Sequence, residues 1–427
     1  MERRTFYQYL WSAILTSLSG ILCVQIDGII VSHLLGTDAF AAIGVLMPVV
    51  QIQLTLCLLI GVGGALCLAY AVGSKDRARS GQIFRTTIVM LLVCSVPFIA
   101  LSAWSSMVAG WFCHEESLMP LASDYARVLL LSAPVYLLLQ GSGAMVRAEG
   151  FPKRILWAMV LANVLNLSMD MLFISCFHWG IAGAGWATTI SNVIALCIIL
   201  AKNVEKVSGA LSSPFPILLA GLPLALGSVA MFVRLSYLTT ATSAHLGAEG
   251  MVTLSLLLSV FLFVNLLAGG TSQALQPLAG QYIGKGDKAA MCRTCRRSLR
   301  FAGLSSLVVT GLVVALARPI CIVYGIDESS QVATMAALRI FAVCFLFNAL
   351  GFVLMVIHQI LGNKTKAMVI AVVQPLLLIP VYALILSVFR TSVLWFAFPI
   401  AEFLSLIFIL ILSVHELRQI YTTAVSD

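Results

Sequence analysis

Hydrophobic runs dominate this chain, and they recur at the length of a membrane-spanning helix. A helix needs about 20 mostly apolar residues to cross the hydrocarbon core of a bilayer. The pattern predicts an all-α membrane protein with about twelve spanning helices. They are expected at residues 6–31, 41–72, 82–105, 121–146, 155–176, 182–201, 214–240, 250–282, 299–320, 332–360, 368–388 and 393–414. Several of these spans are longer than the hydrocarbon core is thick, so we expect tilted helices or helices that extend into water.

Prolines fall inside several of the predicted spans. Such prolines leave backbone carbonyls without a partner and permit bends where protein or cavity water can satisfy them. They are Pro48, Pro134, Pro223, Pro277, Pro375 and Pro380.

Composition supports this interpretation. The 427 residues are 61% hydrophobic and 10% charged, with a mean hydropathy of +1.04. No signal-peptide cleavage site follows the first run, so the first helix is expected to be retained. Cys292 and Cys295 form a lone CxxC motif without a second ligand pair, which argues against a metal site.

The basic residues predict the orientation of the chain. Most of the 25 lysines and arginines lie at helix ends and loops that share one side of the membrane if there are twelve spans. By the positive-inside rule, both termini are expected to be cytoplasmic, in a cell or plasma membrane. The net charge of +8 therefore reflects basic residues on one side of the membrane and does not indicate nucleic-acid binding.

Short motifs repeat along the chain at an offset of about 211 residues. The sequence LGTD at 35–38 matches LGAE at 246–249, and GSKDR at 73–77 matches GKGDK at 284–288. Arg85 matches Arg296, and Arg127 matches Arg339 with one residue of slip. Six helices per half put both halves in the same orientation, which predicts two six-helix lobes related by a parallel pseudo-two-fold axis, with a cavity between them. The predicted N-lobe covers 1–201, the linker 202–213 and the C-lobe 214–427.

Two aspartates lie inside predicted spans of the N-lobe. A carboxylate at that depth is costly and usually faces a cavity with a function. Helix direction and the 1.5 Å rise per residue place Asp27, Asp170, Tyr125 and Thr188 at one level, toward the outer half of the lobe. Asn166 lies one turn from Asp170 on the same helical face.

These five side chains predict an oxygen-lined pocket for a proton or Na⁺. Hard cations prefer oxygen ligands, and two neighbouring carboxylates repel each other and can exchange a proton. Alternatives remain for each residue taken alone. Asp27 would then bond backbone or a headgroup at a helix end, Asn166 and Thr188 would bridge helices, and Tyr125 would be an interfacial aromatic residue.

The C-lobe carries a third intramembrane acid, Glu402. It is expected either to contact a cationic substrate or to pair with a buried arginine. Arg234 in span 7 is expected either to pair with an acid or to extend outward to the membrane surface. Four amides, Asn265, Gln273, Gln276 and Gln281, lie along span 8, where they would line a cavity or bridge helices, and the first three are the candidates for a substrate cavity.

No sequence feature indicates an enzyme. The chain has no GxxxxGK[ST] phosphate-binding loop, no HExxH and no GxSxG motif. The six histidines are scattered. We therefore expect no cofactor beyond the coupling ion.

The signature motifs resemble the multidrug and toxic compound extrusion (MATE) family. The resemblance rests on Asn166-Leu-Ser-Met-Asp170 followed by Gly180-Ile-Ala-Gly-Ala-Gly-Trp-Ala-Thr188, and on Asp27 followed by Gly36 and Ala41-Ala42-Ile43-Gly44. Further matching segments are Arg147-Ala-Glu-Gly150 and Gln276-Pro-Leu-Ala-Gly280-Gln281 through Gly284. The match covers essentially the whole chain.

This resemblance implies cation-coupled efflux by a rocker-switch motion of two lobes. DinF-type members use a cation site in the N-lobe, which would here comprise Asp27, Asn166, Asp170 and Thr188, with Tyr125 nearby. These residues would be metal ligands if the ion is Na⁺. Another branch has coupling carboxylates in spans 7 and 10, where this chain has only Glu249, Asp327 and Glu328 at the loop edges, so the DinF type is favoured.

The sequence therefore predicts an antiporter that exports organic, in particular cationic, compounds in exchange for H⁺ or Na⁺. We expect a monomer that contacts membrane lipid and small organic substrates and binds no nucleic acid. The alternative within the wider superfamily is a flippase for a lipid-linked precursor, which a cavity rich in lysine and arginine would favour. A major-facilitator transporter shares the six-plus-six plan, but the Asn166/Asp170 signature argues against it.

Overall fold

The computed structural model describes residues 2–113, 115–201, 203, 210–326, 328–389 and 391–422, and every regular element in these ranges is helical. Ten of the described helices are long and apolar enough to cross a membrane, and a bent pair makes an eleventh span. The segment Phe215–Lys285 counts once among the ten but contains two helices, which brings the spans to twelve. The predicted all-α membrane fold is confirmed.

In the first half of the chain, the described residues form ten α-helices. They are α1 (Glu2–Leu35), α2 (Thr37–Val45), α3 (Met47–Leu56), α4 (Gly63–Gly73), α5 (Arg77–Ser102), α6 (Ser105–Gly110), α7 (Met119–Leu131), α8 (Ala133–Ala148), α9 (Pro152–Met171) and α10 (Gly180–Leu200). Two π-helical turns, Cys57–Val62 and Leu172–Cys176, continue α3 and α9.

The second half repeats this plan. Its helices are α11 (Phe215–Lys285), α12 (Lys288–Ala315), α13 (Ala317–Val323), α14 (Glu328–Ala342), α15 (Cys344–Ile360), α16 (Lys364–Leu376), α17 (Leu378–Phe389) and α18 (Ala397–Thr422), with a 3₁₀ helix at Thr391–Phe396.

Several predicted spans are interrupted. The span expected at 121–146 consists of α7 and α8, which meet at a bend of 49°. Pro134 lies in the first turn of α8, where its missing N–H would have no helical partner. Pro48 occupies the same position in α3, whereas Pro223 and Pro277 lie within continuous helix.

The chain divides into two compact units. The first, called the N-lobe below, covers residues 3–222 with 283–286, and the second, the C-lobe, covers residues 223–282 and the chain from 287 onward. The N-lobe thus continues past the predicted boundary at residue 201. Most of the predicted linker at 202–213, with Lys202 and Lys206, lies outside the described residues, as do His114 and Asp327.

The sequence repeat recurs as local geometry within each lobe. Gly36 and Gly247 both have positive φ angles, 91° and 61°, and each separates two helices. A left-handed backbone of this kind favours glycine. Gly247 lies between the predicted spans 214–240 and 250–282, and it divides α11 into helices at 215–246 and 248–285.

Helix capping repeats as well. The carboxylate of Asp76 accepts a hydrogen bond from the Arg79 amide at 3.0 Å, and that of Asp287 accepts from the Ala290 amide at 2.8 Å. Each aspartate thereby satisfies one of the amides left unpaired at the start of α5 or α12.

The repeat extends to contacts that tie helix ends to backbone carbonyls. The guanidinium of Arg154 donates to the Ile198 carbonyl at 2.8 Å, and Lys366 Nζ donates to the Leu412 carbonyl at 2.9 Å. Arg85 likewise donates to the Ala210 carbonyl, and Arg296 to that of Ile420 at 3.0 Å. Corresponding residues thus make corresponding contacts in the two lobes.

Candidate functional site

A cavity of about 630 Å³ lies within the N-lobe. Four of the five predicted cation-site residues line it: Asp27 on α1, Tyr125 on α7, Asn166 on α9 and Thr188 on α10. The fifth, Asp170, is fully buried at 0% exposure. The structure therefore brings together the residues that the depth argument grouped, although they come from four helices.

The two aspartates are the charged part of this arrangement. Asp27 is half-buried, and its carboxyl group lies close enough to that of Asp170 to interact with it. Ionised carboxylates only accept hydrogen bonds, and Asp27 Oδ1 and both carboxyl oxygens of Asp170 are buried with no donor among the described residues. Buried polar atoms without partners are costly, so this site favours the arrival of a proton or a cation.

Side chains of α1 and α9 meet at further positions along the two helices. One turn from Asp27, the Cys23 thiol donates to Asn166 Oδ1 at 3.1 Å. Another turn along, Asn163 Nδ2 donates to Ser19 Oγ at 2.6 Å. Because residues three or four apart share one helical face, the polar residues of α1 and those of α9 form matched rows.

Hydrogen bonds fix the orientation of the Asn166 amide. The Thr188 hydroxyl donates to the Ala184 carbonyl at 3.1 Å, so its oxygen is free to accept. Asn166 Nδ2 donates to that oxygen at 3.1 Å. The amide oxygen consequently points toward Cys23, and Asn166, 5% exposed, is held at both ends of its side chain.

Local sequence explains how the site residues fit between helices. Gly185, one turn before Thr188 on α10, lies against the Val128 side chain and the Tyr125 ring, and an added Cβ would lie 2.8 Å from Val128 Cγ1. Gly28, next to Asp27, lies against the Phe40 ring in the same way. A π-helical turn starts directly after Met171, and such turns are frequent at functional sites.

Glu402 in the C-lobe is engaged in a closed network. Its Oε1 lies 3.2 Å from Arg234 Nη1 and accepts from Asn348 Nδ2 at 3.0 Å. Its Oε2 accepts from Gln374 Nε2 at 3.3 Å. Glu402 and Arg234 are 3% and 5% exposed, so of the two roles expected for Glu402 the structure has the ion pair with a buried arginine.

The other candidate substrate-cavity residues lie in separate surroundings. Asn265 lines a small void of about 10 Å³ in the C-lobe. Gln276 Nε2 donates to Gln359 Oε1 at 3.1 Å, a bridge between helices of the kind that the sequence left open. Gln273 is half-buried. None of these three lines the N-lobe cavity, and their role in substrate binding stays a prediction.

Sequence reasoning missed two groups of polar residues. Cys23 and Asn163 belong to the α1–α9 contacts, and their helical spacing from Asp27 and Asn166 was the available signal. The other group surrounds Glu416 in the C-lobe, whose Oε1 accepts from Lys366 Nζ at 2.7 Å and lies 3.9 Å from Nδ1 of the buried His358. No sequence signal joined these residues, since they lie on α15, α16 and α18.

All eleven cysteines are free thiols. Within the described ranges, no cluster of three His, Cys, Asp or Glu side chains is placed to hold a metal ion. A cation in the N-lobe cavity would therefore need amide or hydroxyl oxygens besides the two carboxylates.

Comparison with known proteins gives a consistent result. The MatE family model matches residues 12–172 and 223–384, which together make up most of the chain. The chain is 24% identical to the multidrug export protein MepA of Staphylococcus aureus over 449 aligned positions, which cover 100% of this chain and 97% of that protein.

Solved structures share the fold over almost the whole length. One is a transporter of the MOP superfamily from Pyrococcus furiosus, described as having a binding pocket of reversed polarity. It aligns with a TM-score of 0.88 and 21% identity over 98% of this chain and 96% of that one. Another is an outward-facing multidrug resistance MATE family transporter, with a TM-score of 0.89 and 20% identity over 98% and 96% of the two chains.

Proposed function

The chain belongs to the MatE family, and from that premise we propose that it is a secondary active exporter of organic, in particular cationic, compounds in exchange for H⁺ or Na⁺. Members of this family are transporters, so the chain is a transporter and not an enzyme. Relatives named multidrug export protein support efflux as the direction and several drugs as the substrates.

The observation that carries this proposal is the acid pair in the N-lobe. Asp170 is fully buried beside Asp27, and three of the four carboxyl oxygens have no hydrogen-bond partner among the described residues. Two carboxylates in an apolar lobe repel each other and are poorly solvated, so binding one positive ion relieves both costs. The free energy of ion binding can drive transport only if the site binds the ion with different affinity in the two conformational states.

The proposed mechanism uses this energy for alternating access. Asp27 and Asp170 bind the ion, Asn166 and Thr188 are the neutral polar groups beside them, and Tyr125 closes the pocket. Ion binding changes how α1 meets α9 and α10, which favours one conformational state over the other. Export follows because ion and substrate bind the two states with different affinities.

Other parts of the proposal come from the distribution of charge. Basic loops such as Lys75–Arg79 are placed on the cytoplasmic side with both termini, where they meet anionic lipid. We expect the protein to act as a monomer in the cell membrane. The sequence repeat divides it into halves of residues 1–201 and 214–427, which the linker 202–213 joins. The N-lobe position of the acids supports the DinF-type assignment.

Reconstituted transport tests the proposal. Purified protein in liposomes is loaded with a fluorescent organic cation, and efflux is followed under a pH gradient or a Na⁺ gradient applied separately. Wild type is compared with Asp27→Asn and with Asp38→Asn, which removes an exposed acid outside the cavity.

The expected result is efflux driven by one gradient, lost in Asp27→Asn and retained in Asp38→Asn. That outcome also identifies the coupling ion. Folded wild-type protein that transports under neither gradient would contradict the proposal and direct attention to lipid-linked substrates.

A further inference from the structure

Cys23 is the one residue of the α1–α9 contacts whose side chain is reactive, and the proposed function does not use it. It lies on α1 one turn before Asp27, lines the N-lobe cavity and is 8% exposed. Its sulfur lies 3.1 Å from Asn166 Oδ1 and 3.8 Å from the Asn163 carbonyl oxygen. The nearer of these two acceptors belongs to the cation site.

The direction of this hydrogen bond follows from its neighbours. The Thr188 hydroxyl proton is directed to the Ala184 carbonyl, 3.1 Å away. Thr188 can therefore only accept from Asn166, which turns the amide nitrogen toward α10 and the amide oxygen toward α1. A thiol has one proton to donate, and the Asn166 oxygen receives it.

The hydrogen bonds of Asn166 affect which oxygen atoms of the site can bind an ion. A proton needs only a carboxylate, and both oxygens of Asp170 are buried without a partner among the described residues. Sodium needs several oxygen ligands at once, as hard cations do, so it would need Asn166 Oδ1 as well. That oxygen accepts from the Cys23 thiol, which occupies one of its two lone pairs and competes with an ion for the oxygen.

We propose that Cys23 is a positioning residue that determines ion specificity by competing with the ion for the Asn166 amide oxygen, so that the site favours H⁺ over Na⁺. The inference rests on the proposed function, since it takes the acid pair as the ion site. It predicts that replacing the thiol with a side chain that cannot donate frees the amide oxygen and raises the affinity of the site for sodium. A hydroxyl in the same place donates in the same way and preserves the selectivity.

The test compares four proteins: wild type, Cys23→Ala, Cys23→Ser and Cys197→Ala. Cys197 is an exposed thiol on α10 that does not line the cavity, so its removal is the matched control. Purified protein is titrated with NaCl against choline chloride at fixed pH, and the sodium-induced shift of the melting temperature gives the apparent Na⁺ affinity. Dye efflux from liposomes is then measured with a Na⁺ gradient alone.

We expect the half-maximal Na⁺ concentration to fall by about tenfold in Cys23→Ala, because the ion no longer competes with a hydrogen bond worth about 1 kcal/mol. Cys23→Ser and Cys197→Ala are expected to match wild type. Equal sodium responses in Cys23→Ala and wild type, including no response in either, would overturn the inference. A Cys23→Ser protein that behaves like Cys23→Ala would overturn it too, because the hydrogen bond would then not be the cause.

The melting-temperature titration separates this inference from the proposed function. If Asp27→Asn transports normally, the proposed function fails, whatever the sodium titration gives. If Asp27→Asn is inactive and the sodium response does not depend on Cys23, only the role of Cys23 fails.

Discussion

Arg234 and Glu402, 168 residues apart in the chain, form an ion pair inside the C-lobe with a distance of 3.2 Å between Arg234 Nη1 and Glu402 Oε1. The pair joins α11 to α18, and the Phe261 ring lies 5.7 Å from the guanidinium carbon. Asn348 and Gln374 donate to the carboxylate, so the charge of Glu402 is compensated on several sides. The third intramembrane acid of this chain is thus a structural element of its lobe.

Breaking this ion pair is expected to destabilise the C-lobe. Arg234→Met leaves Glu402 buried without its counter-charge, and the loss of one partner of a buried pair costs about 3–5 kcal/mol. The melting temperature of purified protein in detergent is expected to fall accordingly. The double variant Arg234→Met/Glu402→Gln should regain part of the loss, because an uncharged amide replaces the carboxylate. An unchanged melting temperature in Arg234→Met would show that the pair adds nothing.

The two acids of the N-lobe are expected to act as one unit. Asp27→Asn and Asp170→Asn should each lower gradient-driven efflux by at least about tenfold, equivalent to about 1.4 kcal/mol. The double variant should be little worse than either single one, because each substitution already removes the shared ion. Initial efflux rates from liposomes give the double-mutant cycle. Additive losses would mean that the aspartates work independently.

Close helix packing in the N-lobe depends on glycine at position 61. A Cβ added to Gly61 would lie 2.6 Å from the Cα of Gly141, which is backbone and has little freedom to move. Gly61→Ala is therefore expected to cost about 1–3 kcal/mol through overpacking. Gly44→Ala is the control, since nothing lies within 4 Å of a Cβ at that position. Thermal unfolding of the two variants should differ, and equal melting temperatures would argue against tight packing here.

The paired helix caps offer a test of the internal repeat. Asp76→Ala and Asp287→Ala each remove the carboxylate that accepts from an amide in the first turn of α5 or α12. Each substitution should lower stability by about 1 kcal/mol, the usual value of an N-cap, and the two losses should be similar. Asp76→Asn and Asp287→Asn should retain most of the stability, because an amide oxygen still caps the helix. A large loss from one substitution and none from the other would indicate that the caps are not equivalent.

Much of this architecture could be predicted from sequence. Apolar runs defined the spans because only hydrogen-bonded helices and closed barrels satisfy the backbone within lipid. The repeated LGTD and LGAE motifs located Gly36 and Gly247, where the left-handed backbone separates two helices. The common depth of Asp27 and Asp170 followed from helix direction and rise, which need no knowledge of neighbours.

The contacts between residues of different helices could not be predicted in this way. Helical periodicity tells which residues share a face, but not which other helix that face meets. Cys23 with Asn166, and Arg234 with Glu402, are pairs between helices distant in sequence, fixed by the rotation and spacing of helices in the folded lobe. Apolar runs, the internal repeat and the family resemblance were enough to predict a two-lobed membrane transporter with buried acids. Tertiary packing alone decided that the N-lobe acids lie together with unpartnered oxygens while the C-lobe acid is neutralised, because only packing brings a donor or a counter-charge within reach.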